Sequence, residues 1–168
     1  MRKTVCGKTG FGAKLVYFLL AAAAVPSVEA VTVSSVTELQ TAIANAAAGD
    51  EIVIADANFP CGINKKVIRA DGIGGAEMLD AILKVIPLDT YADPNMILMN
   101  LTQSDVGKVN PTIWKDYEKI AEENDDNVKI GGIERFSFYD RAKTAYVVVA
   151  TGEGAIYANI ILKKGVIK

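Results

Sequence analysis

The stretch Gly49–Pro60, GDEIVIADANFP, constrains this chain more than any other. A Gly-Asp turn opens onto Glu51–Ile54, four residues that favour an extended, buried strand. The strand delivers a carboxylate, Asp56, and stops at Pro60. A short apolar strand ending in an acid and a turn is a common means of presenting a carboxylate at the rim of a sheet. The same residues fit an ordinary core strand whose Asp56 caps the next turn. The flanking sequence bears on which reading holds.

Upstream, Ser35 and Glu38 form a capping box, and Leu39, Ile43 and Ala46 share a helical face. The spacing predicts a helix over about Val36–Ala47 that stops at Gly49. Downstream, Cys61–Lys66 reads as a polar loop and Val67–Asp71 as a second short strand ending in an acid. Gly72, Gly74 and Gly75 form a turn into an amphipathic helix, Ala76–Ile86, ended by Pro87. Those glycines match neither the dinucleotide fingerprint nor the P-loop, so they read as a plain strand–helix turn. Met96–Leu101 is a buried strand whose methionines fill gaps. Asn110 caps a helix with Pro111 at its first position, running to about Glu122 with Ile113, Trp114, Tyr117 and Ile120 on its apolar side. The acidic run Glu122–Asp126 lacks the glycine and terminal Glu of a calcium loop and reads as solvated. Glu134-Arg135 leads into a helix, Phe136–Ala145. Tyr146–Ala150 and Ala155–Leu162 read as the two strands of a hairpin across Gly152-Glu153-Gly154. On the second strand Tyr157 and Asn159 share one face, either presented together for use or simply wet.

The chain has no histidine, which removes the commonest metal ligand and the commonest general acid–base. Its two cysteines, Cys6 and Cys61, allow no zinc spacing and make a disulfide framework untenable. With 168 residues, 51% hydrophobic and 23% charged, it is one globular domain rather than a disordered chain. A net charge of −2 gives no reason to expect a nucleic-acid partner and favours a neutral or cationic ligand.

The first thirty residues read as a leader. Arg2, Lys3, Lys8 and Lys14 make a basic start, Leu15–Val25 is an apolar run, and Val28-Glu29-Ala30 offers a cleavage site. The apolar run is too short to span a bilayer stably. The expected organisation is a signal-peptide-like leader, 1–30, followed by a domain over 31–168.

From Gly49 to the C-terminus the chain resembles the L-fucose mutarotase and D-ribose pyranase family. The motifs are GDEIVIADANFP, VIRADG, LDTY at Leu88–Tyr91, ERFSFYDRAK at Glu134–Lys143, and TGEGAIYANIILKKGV at Thr151–Val166. The RF-x-FY and Y-x-N-x-x-L-K-K-G segments place it nearer the fucose branch. The resemblance implies a single compact α/β domain whose subunits form pentameric rings, often stacked as decamers. It implies interconversion of the anomers of a free reducing monosaccharide, most readily L-fucose, in a cleft near a subunit boundary, with no metal and no organic cofactor. The family's substrate-binding aspartate falls on Asp56, its arginine on Arg135, and its Tyr-Gly-Asn segment on Tyr157, Ala158 and Asn159, with alanine in the glycine's place. Its proton-donor histidine falls on Ala48, since Ala46-Ala47-Ala48-Gly49-Asp50 stands where the family typically has Met-Gly-His-Gly-Asp. Asp56, as base, and Tyr157 are then the catalytic candidates, with Tyr139 or a water as other donors. The implied activity is impaired, and the alternative is a catalytically silent sugar-binding or ring-forming protein. The family is chiefly cytoplasmic, whereas the leader argues for export.

Val31–Ala57 also resembles the opening cap and first strand of secreted right-handed β-helix polysaccharide lyases. A solenoid needs at least about three stacked repeats, and nothing after Pro60 repeats. The expectation is therefore a hybrid, a mutarotase-like domain behind a secreted-type N-terminus.

Overall fold

Alternation of buried side chains along the central strands sets the architecture. In the strand Glu51–Ala55 (β2), Ile52 and Ile54 pack into one hydrophobic cluster while Val53 and Ala55 pack into another. A strand apolar on both faces belongs inside a sheet covered on both sides. The computed structural model describes residues 29–167. Their strands are β1 (Glu29–Thr32), β2, β3 (Lys66–Ala70), β4 (Met96–Met99), β5 (Ile130–Ile133), β6 (Val147–Thr151) and β7 (Ile160–Lys163). They form one sheet in the order β1-β3-β6-β2-β7-β4-β5. Among the described strands β7 alone runs antiparallel to its neighbours, β2 and β4, and every other pairing is parallel.

Helices α1 (Val36–Ile43), α2 (Gly75–Leu83) and α3 (Ile113–Asn124) cover one face through Leu39, Ile43, Leu79, Ile82, Tyr117 and Ala121. Helix α4 (Arg135–Thr144) covers the other through Phe138 and Ala142, with Phe59 meeting Phe138 edge-on at 6.0 Å between centroids. Ile52, Val53 and Ile54 are 0% exposed. Each fully buried aliphatic of that kind stabilises the fold by about 1.5–3 kcal/mol, so β2 is the spine of the molecule. The single α/β domain is as expected.

Several local expectations are corrected. The last two strands do not form a hairpin. β2 lies between β6 and β7, and residues 152–159 carry the chain across β2 rather than turning back beside β6. The returning strand starts at Ile160, not Ala155, so Tyr157 and Asn159 sit in a connection and not on a strand face. Helix α3 starts at Ile113 behind Thr112, leaving Asn110 and Pro111 outside it. Helix α1 ends at Ile43, because Ala44–Ala48 closes in turns toward Gly49 (φ +87°). β5 went unread because Ile130-Gly131-Gly132-Ile133 has the glycines of a loop. Gly131 faces Pro94 and Gly132 faces Asn100, and an added Cβ at either would fall within 3 Å of those side chains.

The expected leader lies outside the described residues except for Glu29 and Ala30. Those two begin β1, which pairs in parallel with β3 from Glu29 opposite Lys66. Cleavage after Ala30 would divide that strand. No described helix is long and apolar enough to cross a membrane.

Candidate active site

The carboxyl ends of β2, β4 and β5 and the start of β7 meet at one end of the sheet, the end where open α/β sheets place their ligands. A cleft of about 280 Å³ opens there, lined by Asp56, Met99, Asp105, Arg135, Tyr139, Tyr157 and Asn159 among others. Each element supplies its part by simple continuity. Asp56 is the first residue past β2, and Asp105 comes from the loop after β4. Arg135 opens α4 directly after β5, and Tyr157 and Asn159 precede β7.

Asp56 is 7% exposed and Asn159 is 4% exposed. They pair reciprocally: Asn159 Nδ2 donates to Asp56 Oδ2 at 2.6 Å, and the Asp56 backbone N–H donates to Asn159 Oδ1 at 2.9 Å. The Asn58 N–H donates to Asp56 Oδ1 at 3.0 Å, so Asp56 caps its turn as well as lining the cleft. Burial pushes its carboxyl above the usual range, and the bonds from Asn58 and Asn159 oppose that only in part. Asp56 therefore caps its turn and also stands at the rim of the sheet, facing the cleft.

Tyr157 has a left-handed backbone, φ +61°. An aromatic residue there costs about 1–2 kcal/mol, and such strain collects at functional sites. It is held by Trp114 Nε1 donating to its carbonyl at 2.8 Å. Its hydroxyl donates to Asp105, whose carboxylate also accepts from Thr102 Oγ1 at 2.8 Å. These hydrogen bonds, the one from Tyr157 foremost, hold the Asp105 carboxyl below the usual range. On the far wall Arg135 Nε donates to the Tyr139 hydroxyl at 3.0 Å, which aims an exposed guanidinium over the cleft. Ala158, between the two cleft residues, is buried and points away. Its carbonyl accepts from the Tyr117 hydroxyl at 3.0 Å.

Of the residues the sequence singles out, Asp56, Arg135, Tyr157 and Asn159 come together, and Tyr139 joins them. Ala48 does not. It is exposed and precedes β2, whereas Asp56 follows it. At about 3.3 Å per residue the five-residue strand separates the two by more than ~15 Å. Asp105 was missed: nothing in Thr102-Gln103-Ser104-Asp105 marks it, and only the neighbouring position of β4 and β7 brings it to Tyr157.

Residues 36–167 match the RbsD / FucU transport protein family. A fucose mutarotase from Mus musculus is 49% identical over 133 residues, covering 76% of this chain and 87% of its own length. The crystal structure of the fucose mutarotase in complex with L-fucose from Streptococcus pneumoniae superposes with a TM-score of 0.72 at 43% identity, over 78% of this chain and 93% of that one. FucU from Bifidobacterium longum gives 0.73 at 47% identity, over 78% and 94%.

Proposed function

The chain belongs to the RbsD / FucU family, and from that premise we propose that it is a mutarotase interconverting the α and β anomers of a free reducing monosaccharide, L-fucose foremost. The observation that carries the reading is convergence. Asp56, Arg135, Tyr157 and Asn159, drawn from three separate parts of the sequence, line one small cleft at the ligand-binding end of the sheet. The relatives named as fucose mutarotases, and the Streptococcus pneumoniae structure holding L-fucose, support the substrate.

Mutarotation opens a hemiacetal. One group protonates the ring oxygen, another takes the proton of the anomeric hydroxyl, and the free aldehyde rotates and recloses on its other face. A neutral, hydroxyl-rich sugar requires donors and acceptors together. Arg135 only donates, Asp56 accepts when ionised and donates when protonated, Asn159 can do either, and Tyr157, whose hydroxyl hydrogen goes to Asp105, accepts. Both Asp56 oxygens keep a lone pair beyond their bonds to Asn159 and Asn58. The exposed Phe136, beside Arg135, and the exposed Tyr91, Val166 and Ile167, which line one groove together, support assembly into a ring with the cleft near a boundary.

Saturation-transfer NMR of L-fucose tests the function. The chain should exchange the anomer signals faster than buffer alone. Asp56→Ala should lower the exchange by roughly 10²–10⁴-fold, the scale of a lost positioned acid–base group, and Asn159→Ala, which removes the amide that holds Asp56, should lower it as well. Absence of exchange by the parent chain overturns the reading. Fucose binding without exchange would establish the second reading, a silent sugar-binding protein, which the alanine at position 48 favours.

A further inference from the structure

Resting on the mutarotase reading, we propose that Asp105 is a positioning residue that turns the Tyr157 hydroxyl into the proton-accepting group of the cleft. A phenol has one hydrogen to donate, and an ionised carboxylate can only accept. The Tyr157 hydroxyl donates to Asp105, with Thr102 Oγ1 a longer second acceptor at 3.3 Å. The Thr102 backbone N–H donates into the Tyr157 oxygen at 3.3 Å, and the Thr102 hydroxyl braces the same Asp105 oxygen at 2.8 Å. Ser104 adds a longer contact to the other carboxylate oxygen at 3.4 Å. The Tyr157 oxygen is thereby left with acceptor capacity toward the cleft and a carboxylate directly behind its proton. The left-handed backbone and the Trp114 bond fix where the side chain starts, and the bonds at its hydroxyl hold its far end.

This arrangement answers the lack of histidine and divides the two carboxylates of the cleft by role. Burial pushes the Asp56 carboxyl up and the hydroxyl hydrogen bonds push the Asp105 carboxyl down, so of the two Asp56 holds a proton more readily and Asp105 releases one more readily. Titratable pairs pushed in opposite directions mark acid and base. In the forward step the anomeric O–H bond breaks and its proton passes to the Tyr157 oxygen, while the Tyr157 proton moves to Asp105. The bond between the anomeric carbon and the ring oxygen breaks, the carbonyl forms, and the ring oxygen takes the proton of the Asp56 carboxyl. Asp105 gains one proton and Asp56 loses one. Closure on the other face of the aldehyde reverses each transfer, and nothing is consumed. The roles differ from the sequence-based expectation, in which Asp56 is the base.

The test is Asp105→Asn in the full chain, which keeps an acceptor for Tyr157 and removes its basicity. Anomer exchange is read at saturating and at limiting L-fucose, and the fucose Kd by calorimetry. The expected result is a loss of at least ~10-fold at saturating sugar with Kd moved less than about threefold. Tyr157→Phe should lose as much, and the double variant should lose no more than either single change, as groups acting in one unit do. Exchange by Asp105→Asn within about twofold of the parent overturns the proposal, as does a double variant whose losses multiply. Should the asparagine variant fail to fold, Thr102→Val removes the hydroxyl that braces Asp105, with its contacts to Ser104 and Tyr157, and keeps the backbone N–H that donates to Tyr157. It should lower exchange with Kd unchanged, and undiminished exchange overturns the proposal. A parent chain that exchanges no anomers overturns the mutarotase reading together with this one, and is distinguished by being seen before any substitution.

Discussion

Asp56 and Asp105 line one cleft under opposite pressures, and the difference has a measurable consequence for stability. An acid raised by burial binds more protons folded than unfolded between its two values. The Asp56 contribution is therefore present in acid and is lost as pH rises from the ordinary 3.8 through its higher folded value. Asp105 is lowered, so its contribution is present above 3.8 and is lost as pH falls through its folded value. Thermal melts of the parent, Asp56→Asn and Asp105→Asn across the acid range should show this. The parent's margin over the first variant should shrink as pH climbs, and its margin over the second should grow. Equal slopes would contradict the assigned environments. The residues themselves were unequally legible. Asp56 and Arg135 stand at the ends of recognisable segments, so local reading finds them. Asp105 has meaning only beside Tyr157, 52 positions away, and that contact is made by strand order, which residue-level patterns do not encode.

At the scale of elements, the strands and helices with clear periodicity were readable, and their pairing was not. Gly152-Glu153-Gly154 looks like a hairpin turn because glycines flank it. Glu153 instead crosses to helix α2, accepting from the Gly75 N–H at 3.0 Å and from the Ala155 N–H at 2.8 Å. The slot beside β6 is taken by β2, which pairs with it in parallel from Ile52 opposite Val147 to Ala55 opposite Ala150. The exit of β7 is just as tightly fitted. The Gly165 N–H donates to the Pro87 carbonyl at 2.8 Å, and a Cβ there would lie 2.4 Å from the Leu88 carbonyl oxygen. A backbone atom cannot step aside as a side chain can. Gly165→Ala should therefore cost about 1–3 kcal/mol, the usual range for overpacking, read as a lower urea midpoint with an unchanged slope. Gly62→Ala, with nothing within 4 Å of the added carbon, is the control and should leave the midpoint in place.

For the whole molecule, Ala48, where the resemblance places the family's histidine, lies at the opposite end of β2 from the cleft. A histidine placed there cannot reach Asp56 of its own subunit, because the length of a buried, fully paired strand separates them. It could serve only a neighbour's cleft, so the two ends of one strand would contribute to different sites. The proposed ring and the proposed chemistry then make a joint prediction. Ala48→His should raise anomer exchange, by up to roughly 10²–10⁴-fold for a well-placed acid, in the assembled fraction from size-exclusion chromatography. It should leave exchange unchanged in any fraction that elutes as a monomer. A gain in the monomer would contradict the geometry of β2. An assembled variant with no gain would mean that neighbouring copies do not bring position 48 to the cleft, and that the Tyr157–Asp105 pair carries the proton transfers without it.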